Sequence, residues 1–86
     1  MNNNLFYGVF RRRGILLISL MDGSAHLPLI LGEGVVFTTP EAAADFAAYM
    51  GGDTEIWVLA AKREVVCEEF SPDIFLVKGF VPLRAI

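Results

Sequence analysis

The clearest element that this sequence predicts is a helix over residues 40–50, and it constrains how the rest of the chain can fold. Thr39 is a favourable N-cap, and Pro40 suits the first helical position, where its missing N–H leaves no hydrogen bond unmade. Glu41 in the first turn complements the helix dipole. Gly51-Gly52 ends the helix. One apolar face with helical spacing is formed by Ala43, Phe46, Ala47 and Met50.

Apolar patterns on both sides of this helix predict strands. The predicted strands are residues 5–10, 15–21, 26–31, 55–61, 65–70 and 74–81, with a short extended piece at 35–38. The Asp22-Gly23 turn makes the first three an antiparallel meander with residues 15–21 in the middle, and Pro28 places the third at an edge or a bulge. We therefore expect an α+β fold, in which a mostly antiparallel five- to six-stranded sheet carries the single helix on one face. Residues 1–86 form one small domain, frayed over residues 1–4.

Composition excludes several classes of protein. Apolar residues make up 55% of the chain and charged residues 20%, so disorder of the whole chain is excluded. The longest apolar run, residues 14–21, is far shorter than the roughly 20 residues of a membrane span. No cleavage site follows it, so we expect no secretory signal. A net charge of −3 argues against a nucleic-acid partner. The single cysteine fits a reducing cytoplasm.

The same composition predicts self-association. A chain of 86 residues with so many apolar side chains is too small to bury all of them, and a homodimer interface would cover the remainder. One 11-residue helix cannot cover both faces of a six-stranded sheet. Aromatic residues are enriched at interface cores, so we expect Trp57, Phe75 and Phe80 to face a partner.

No catalytic or metal-binding constellation stands out. Cys67 lacks the cationic surroundings that lower a thiol pKa, because Glu64, Glu68 and Glu69 share its segment, so we read it as a small buried hydrophobe. His26 reads as a hydrogen-bonded strand histidine beside a turn, since one His and one Cys fall short of a zinc site. We expect no cofactor and no metal.

Two further motifs have structural readings. Gly32-Glu33-Gly34 is separated from the helix by five residues, unlike a phosphate-binding loop, so the residues before the helix are read as capping it. The basic cluster Arg11-Arg12-Arg13 is read as a solvated hairpin turn rather than a phosphate contact.

These observations favour a non-catalytic interaction or regulatory module of bacterial or phage type that works as a homodimer. The alternative is a small-molecule-binding domain with a pocket between helix and sheet, lined by Phe46, Met50 and Trp57. A minimal cysteine enzyme using Cys67 is the third hypothesis.

Overall fold

The computed structural model describes residues 4–61 and 66–86, and the side chains of all these except Val66 and Cys67. The described part is mostly β-strand and contains one helix, α1 Pro40–Met50. The strands are β1 Asn4–Arg13, β2 Leu16–Ser19, β3 Ala25–His26, β4 Gly32–Phe37, β5 Glu55–Ala61, β6 Val66–Ser71 and β7 Ile74–Ala85.

Four strands close into a small barrel. β1 pairs with β4 and β5, and β7 pairs with the same two strands, all antiparallel. β2 and β3 extend the sheet from β1, and β6 extends it from β7. The predicted α+β fold, a mostly antiparallel five- to six-stranded sheet with the helix on one face, is therefore wrong. The sheet closes because two of its strands are long: β1 has 10 residues and β7 has 12. Each of them is therefore able to pair with two other strands of the barrel.

Barrel closure creates two separate apolar layers. Along β1, Phe6 and Phe10 point into the barrel, whereas Tyr7 and Val9 point outward to the helix. The barrel interior is filled by Phe6, Phe10, Leu17, Val36, Trp57, Leu59, Val77 and Phe80. The helix layer contains Val9, Phe37, Ala43 and Ala47, with Phe46, Ile56 and Ile74 packed against them. The face of the sheet opposite the helix is thus buried inside the barrel. It needs no partner molecule to cover it.

The helix prediction is confirmed at both ends. The Ala42 N–H donates to the Thr39 hydroxyl (3.1 Å), as expected for an N-cap. At the other end Gly51 has φ 67°, and its N–H donates to the Ala47 carbonyl at 2.9 Å. Phe46 is half-buried with its ring 5.5 Å from that of Phe37. Asp45 is exposed.

Strand boundaries differ from the prediction where pairing is long-range. The three arginines continue β1 rather than forming a turn, and the chain reverses at Gly14, where φ is 60°. Arg12 makes two 2.9 Å hydrogen bonds to the carboxylate of Glu55 on β5. The meander order β1–β2–β3 is confirmed. Its third strand, predicted over residues 26–31, is only Ala25–His26.

Candidate functional site

The most unusual surface feature is a loop between β3 and β4, residues 27–31, which we call the aliphatic loop. Its four large side chains are exposed by 38% (Leu27), 67% (Leu29), 56% (Ile30) and 68% (Leu31). A cluster of this kind marks an interaction site on a small domain more often than four scattered residues would.

A tight turn holds the loop in shape. The Ile30 N–H donates to the Leu27 carbonyl at 3.1 Å, with Pro28 second and Leu29 third in the turn. Leu29 has φ 68°, the only positive φ of a non-glycine residue in the described part. Proline followed by a positive φ matches a type II turn, in which the third position normally belongs to glycine or asparagine. The Leu29 N–H also donates to the Pro82 carbonyl (3.2 Å), which ties the loop to β7.

A pocket of about 440 Å³ opens beneath this loop, and we call it the loop pocket. It lies in the size range of small-ligand sites. The lining consists of Leu16, Ser24, Ala25, His26, Leu27, Ile30, Leu31, Gly32 and Glu33. Leu29 is not among these residues: it projects from the loop while its neighbours form the pocket wall.

A chain of three polar side chains supports the pocket floor. The Ser24 hydroxyl lies 2.6 Å from Asp22 Oδ1 and 2.7 Å from His26 Nε2. The second carboxylate oxygen of Asp22 accepts the Val35 N–H at 2.7 Å, which joins the network to β4. Burial opposes the charge of Asp22, but hydrogen bonds from Ser24, Val35 and Ser19 lower its pKa below the ordinary value.

His26 is buried between two aromatic rings. The Phe10 ring meets it edge-on at 5.8 Å, and the Phe80 ring lies 5.0 Å away. Burial lowers the pKa of His26, while the Asp22 carboxylate acts in the opposite direction. The reading of His26 as a hydrogen-bonded strand histidine beside a turn is confirmed.

Two glycines allow β4 to approach this network. A Cβ at Gly32 would overlap His26 Nδ1, and a Cβ at Gly34 would lie 2.7 Å from Asp22 Oδ2. The Gly32-Glu33-Gly34 motif therefore allows close packing of β4 against the side chains of His26 and Asp22. The sequence does not indicate this contact, because Gly32 lies ten residues after Asp22 and follows a turn.

The direction of the hydrogen bonds decides what Ser24 can do. Because Asp22 is ionised, Ser24 donates its only hydroxyl hydrogen to the carboxylate and accepts from His26 Nε2–H. A nucleophilic serine needs the reverse, with its hydroxyl donating to the imidazole. The network thus supplies rigidity to the pocket floor rather than an activated hydroxyl. Cys67, the other candidate nucleophile, lies in β6, and its side chain is outside the described part.

The residues predicted to face a partner lie elsewhere. Phe80 (1% exposed) and Trp57 (8% exposed) belong to the barrel interior, and Phe75 packs against it, half-buried. Trp57 donates its Nε1–H to Glu55 (2.9 Å), and Arg12 lies 6.0 Å from its ring centre. Phe80 presents no surface to another molecule, whereas four large aliphatic side chains are exposed together on the aliphatic loop.

The pocket predicted between helix and sheet does not bring its three residues together. Phe46 lies in the helix layer and Trp57 in the barrel interior, so barrel strands separate them. Met50 is exposed at the helix end. The loop pocket, by contrast, is formed by segments that the sequence suggests only weakly: an uncharged run around Pro28, and three polar residues at spacing two, Asp22, Ser24 and His26, which share a face of an extended chain.

Among the described residues, no group of three or more His, Cys, Asp or Glu side chains is arranged to hold a metal ion. No helix in this part of the chain has the length and apolar character needed to cross a membrane. The chain matches no protein-family model, no curated protein and no solved structure.

Proposed function

We propose that this chain is a non-catalytic interaction module that forms a homodimer through the aliphatic loop. The observation that carries the proposal is the exposure of four large aliphatic side chains on one loop, held in place by hydrogen bonds to Leu27 and Pro82. Removing such side chains from water is the main driving force of association between proteins. A preformed loop also loses little conformational entropy on binding.

The charge distribution permits a second copy as the partner at this loop. The chain carries a net charge of −3, so two copies repel each other where their charged surfaces meet. Residues 27–31 contain no ionisable side chain. Two copies that meet at residues 27–31 bury apolar surface there without bringing like charges into direct contact, and Glu33 is the acidic residue of each copy that lines the loop pocket.

Light scattering after gel filtration tests the proposal. We expect wild-type protein at micromolar concentration to elute at twice the monomer mass of 9.5 kDa. Leu31→Lys should shift it to the monomer mass without changing its circular dichroism, because a lysine would be desolvated at the interface. Tyr49→Lys, at an exposed position on the helix, is the matched control and should remain dimeric. A monomeric wild type, or a dimeric Leu31→Lys, would contradict the proposal.

A small-molecule-binding function is the second candidate, favoured by the size and apolar lining of the loop pocket. It predicts that small aliphatic compounds raise the melting temperature of wild-type protein and shift NMR signals of Leu16 and Leu27. The same compounds should have no effect on a variant with a filled pocket, such as Ala25→Phe.

We also place the protein in a reducing compartment, the cytoplasm, and expect neither nucleic acid nor membrane among its partners. The support is compositional: a single cysteine and a net negative charge. A fluorescent fusion in the native cell and a filter-binding assay with nucleic acid test the two parts.

A further inference from the structure

Leu29 has a positive φ that no contact of its side chain within the chain accounts for. A positive φ is strained for a leucine, and glycine would occupy the same place without that strain. The leucine side chain gives little in return within the chain, since it is 67% exposed and lies outside the pocket lining. Strain that persists at an exposed apolar side chain points to a contact with another molecule.

The pocket for such a side chain lies beside it on the same loop. Leu27, Ile30 and Leu31 form part of the wall of the loop pocket, while Leu29 between them projects outward. The loop therefore carries a projecting aliphatic side chain beside a cavity of about 440 Å³ whose lining is mostly apolar and also includes Ser24, His26 and Glu33. In an interface with twofold symmetry, residue i of one copy contacts residue j of the other and the reverse, so a surface of this kind is complementary to itself.

We propose that in the homodimer each copy inserts its Leu29 into the loop pocket of the other copy. This inference rests on the proposed function and adds to it the anchoring residue and its receptor. The occupant matches the apolar part of the site, because a branched aliphatic side chain would meet Leu27, Ile30 and Leu31 and carries no polar group that would be buried without a partner. Pro28 and the hydrogen bond from the Leu29 N–H to Pro82 fix the direction of the side chain before the copies meet.

The first variant is Leu29→Gly, chosen because glycine accepts the positive φ. The monomer should stay folded and become at least as resistant to denaturant as wild type. The dimer dissociation constant should rise on the order of 30-fold, which is the ratio for losing about 2 kcal/mol at an interface hot spot. Tyr49→Ala, which removes an exposed side chain from the helix, should leave the constant unchanged.

The decisive experiment mixes two variants. Ala25→Phe fills the pocket from its exposed edge-strand position and leaves Leu29 in place, so it should also weaken the homodimer. Leu29→Gly keeps an empty pocket, and Ala25→Phe keeps a projecting Leu29. A mixed dimer therefore regains one of the two insertions, and analytical ultracentrifugation of labelled chains should show it to be tighter than either variant homodimer.

The outcomes separate this inference from the proposed function. If wild type dimerises and Leu31→Lys does not, but Leu29→Gly dimerises like wild type or the mixture gains nothing, the insertion is overturned and the loop interface stands. If wild type is monomeric at all concentrations, both proposals fall.

Discussion

At the scale of single residues, the absence of a side chain matters as much as its presence. Gly34 faces Asp22 and Ser24 so closely that a methyl group would lie 2.7 Å from one and 3.0 Å from the other. The φ of Gly34 is not in the left-handed region, so alanine there is opposed by steric overlap alone.

Gly34→Ala should therefore lower the free energy of unfolding by about 1–3 kcal/mol, as overpacking commonly does. Urea melts of the single and double variants test the cause. In an Asp22→Ala background, where the nearest overlapping atoms are gone, the same substitution should cost clearly less. Equal costs in both backgrounds would mean that Gly34 is needed for a different reason.

His26 predicts how stability responds to mild acid. Burial lowers the pKa of His26 in the folded protein, so the unfolded chain, with an ordinary value of 6.5, takes up the proton first. Its contribution to stability is complete above pH 6.5 and is lost as the pH falls from there through the folded-state pKa. The lowered pKa of Asp22 acts in a separate window, below its ordinary value of 3.8.

We expect the urea midpoint of wild type to fall between pH 7.5 and 5.5, and that of His26→Phe to change much less. Phenylalanine retains the contacts with the Phe10 and Phe80 rings but does not titrate. Parallel pH profiles for the two proteins would show that another group controls stability in this range.

At the scale of elements, what could be predicted is what neighbouring residues determine. The bounds of α1 follow from a cap, a proline and a glycine within a few positions of its ends, and β5 has the residues 55–61 that its own pattern indicates. The last residues of β1 and β7 were missed. Arg12 continues β1 because its side chain hydrogen-bonds to Glu55 on the neighbouring strand β5. Pro82 lies within β7, where it is paired with Leu59. Those partners are more than 20 positions away and leave no local signal.

The helix layer provides a matched pair of substitutions. Phe46→Ala should lower the free energy of unfolding by about 2 kcal/mol, below the roughly 3–5 kcal/mol of a fully buried ring, because Phe46 is only half-buried against Phe37. Asp45→Ala, one position away and exposed, should change it by less than about 0.5 kcal/mol. Chemical denaturation of both variants makes the comparison, and a reversed order would mean that the helix is rotated about its axis.

At the scale of the whole molecule, closure is the property that local patterns could not reveal. Alternating apolar residues predict strands with two apolar faces, but an open sheet covered by a partner and a ring that covers itself share that pattern. The candidate site follows the same rule. Its turn and its polar residues were visible, whereas the pocket exists only because Leu16 and Gly32 are brought to the same place.

Hydrogen exchange distinguishes the ring from its extensions. Amides of β5, which is paired with β1 along its length and with β7 over residues 57–61, should exchange most slowly, at the rate set by global unfolding. Those of the two-residue edge strand β3 should exchange by local opening and much faster. Uniform protection across both strands would contradict a closed ring with loosely attached extensions.

The indole of Trp57 has an optical consequence. It is the only tryptophan in the chain, it lies opposite Gly8 where β1 meets β5, and its environment includes the Glu55 carboxylate and the Arg12 guanidinium. Separation of these two strands would hydrate the ring and remove Arg12 from it, whereas Glu55, on the same strand as Trp57, would stay beside it. Intrinsic tryptophan fluorescence, excited at the red edge of protein absorption, therefore reports on the pairing of β1 with β5 without an added label. The time course of its spectral shift follows the separation of these two strands.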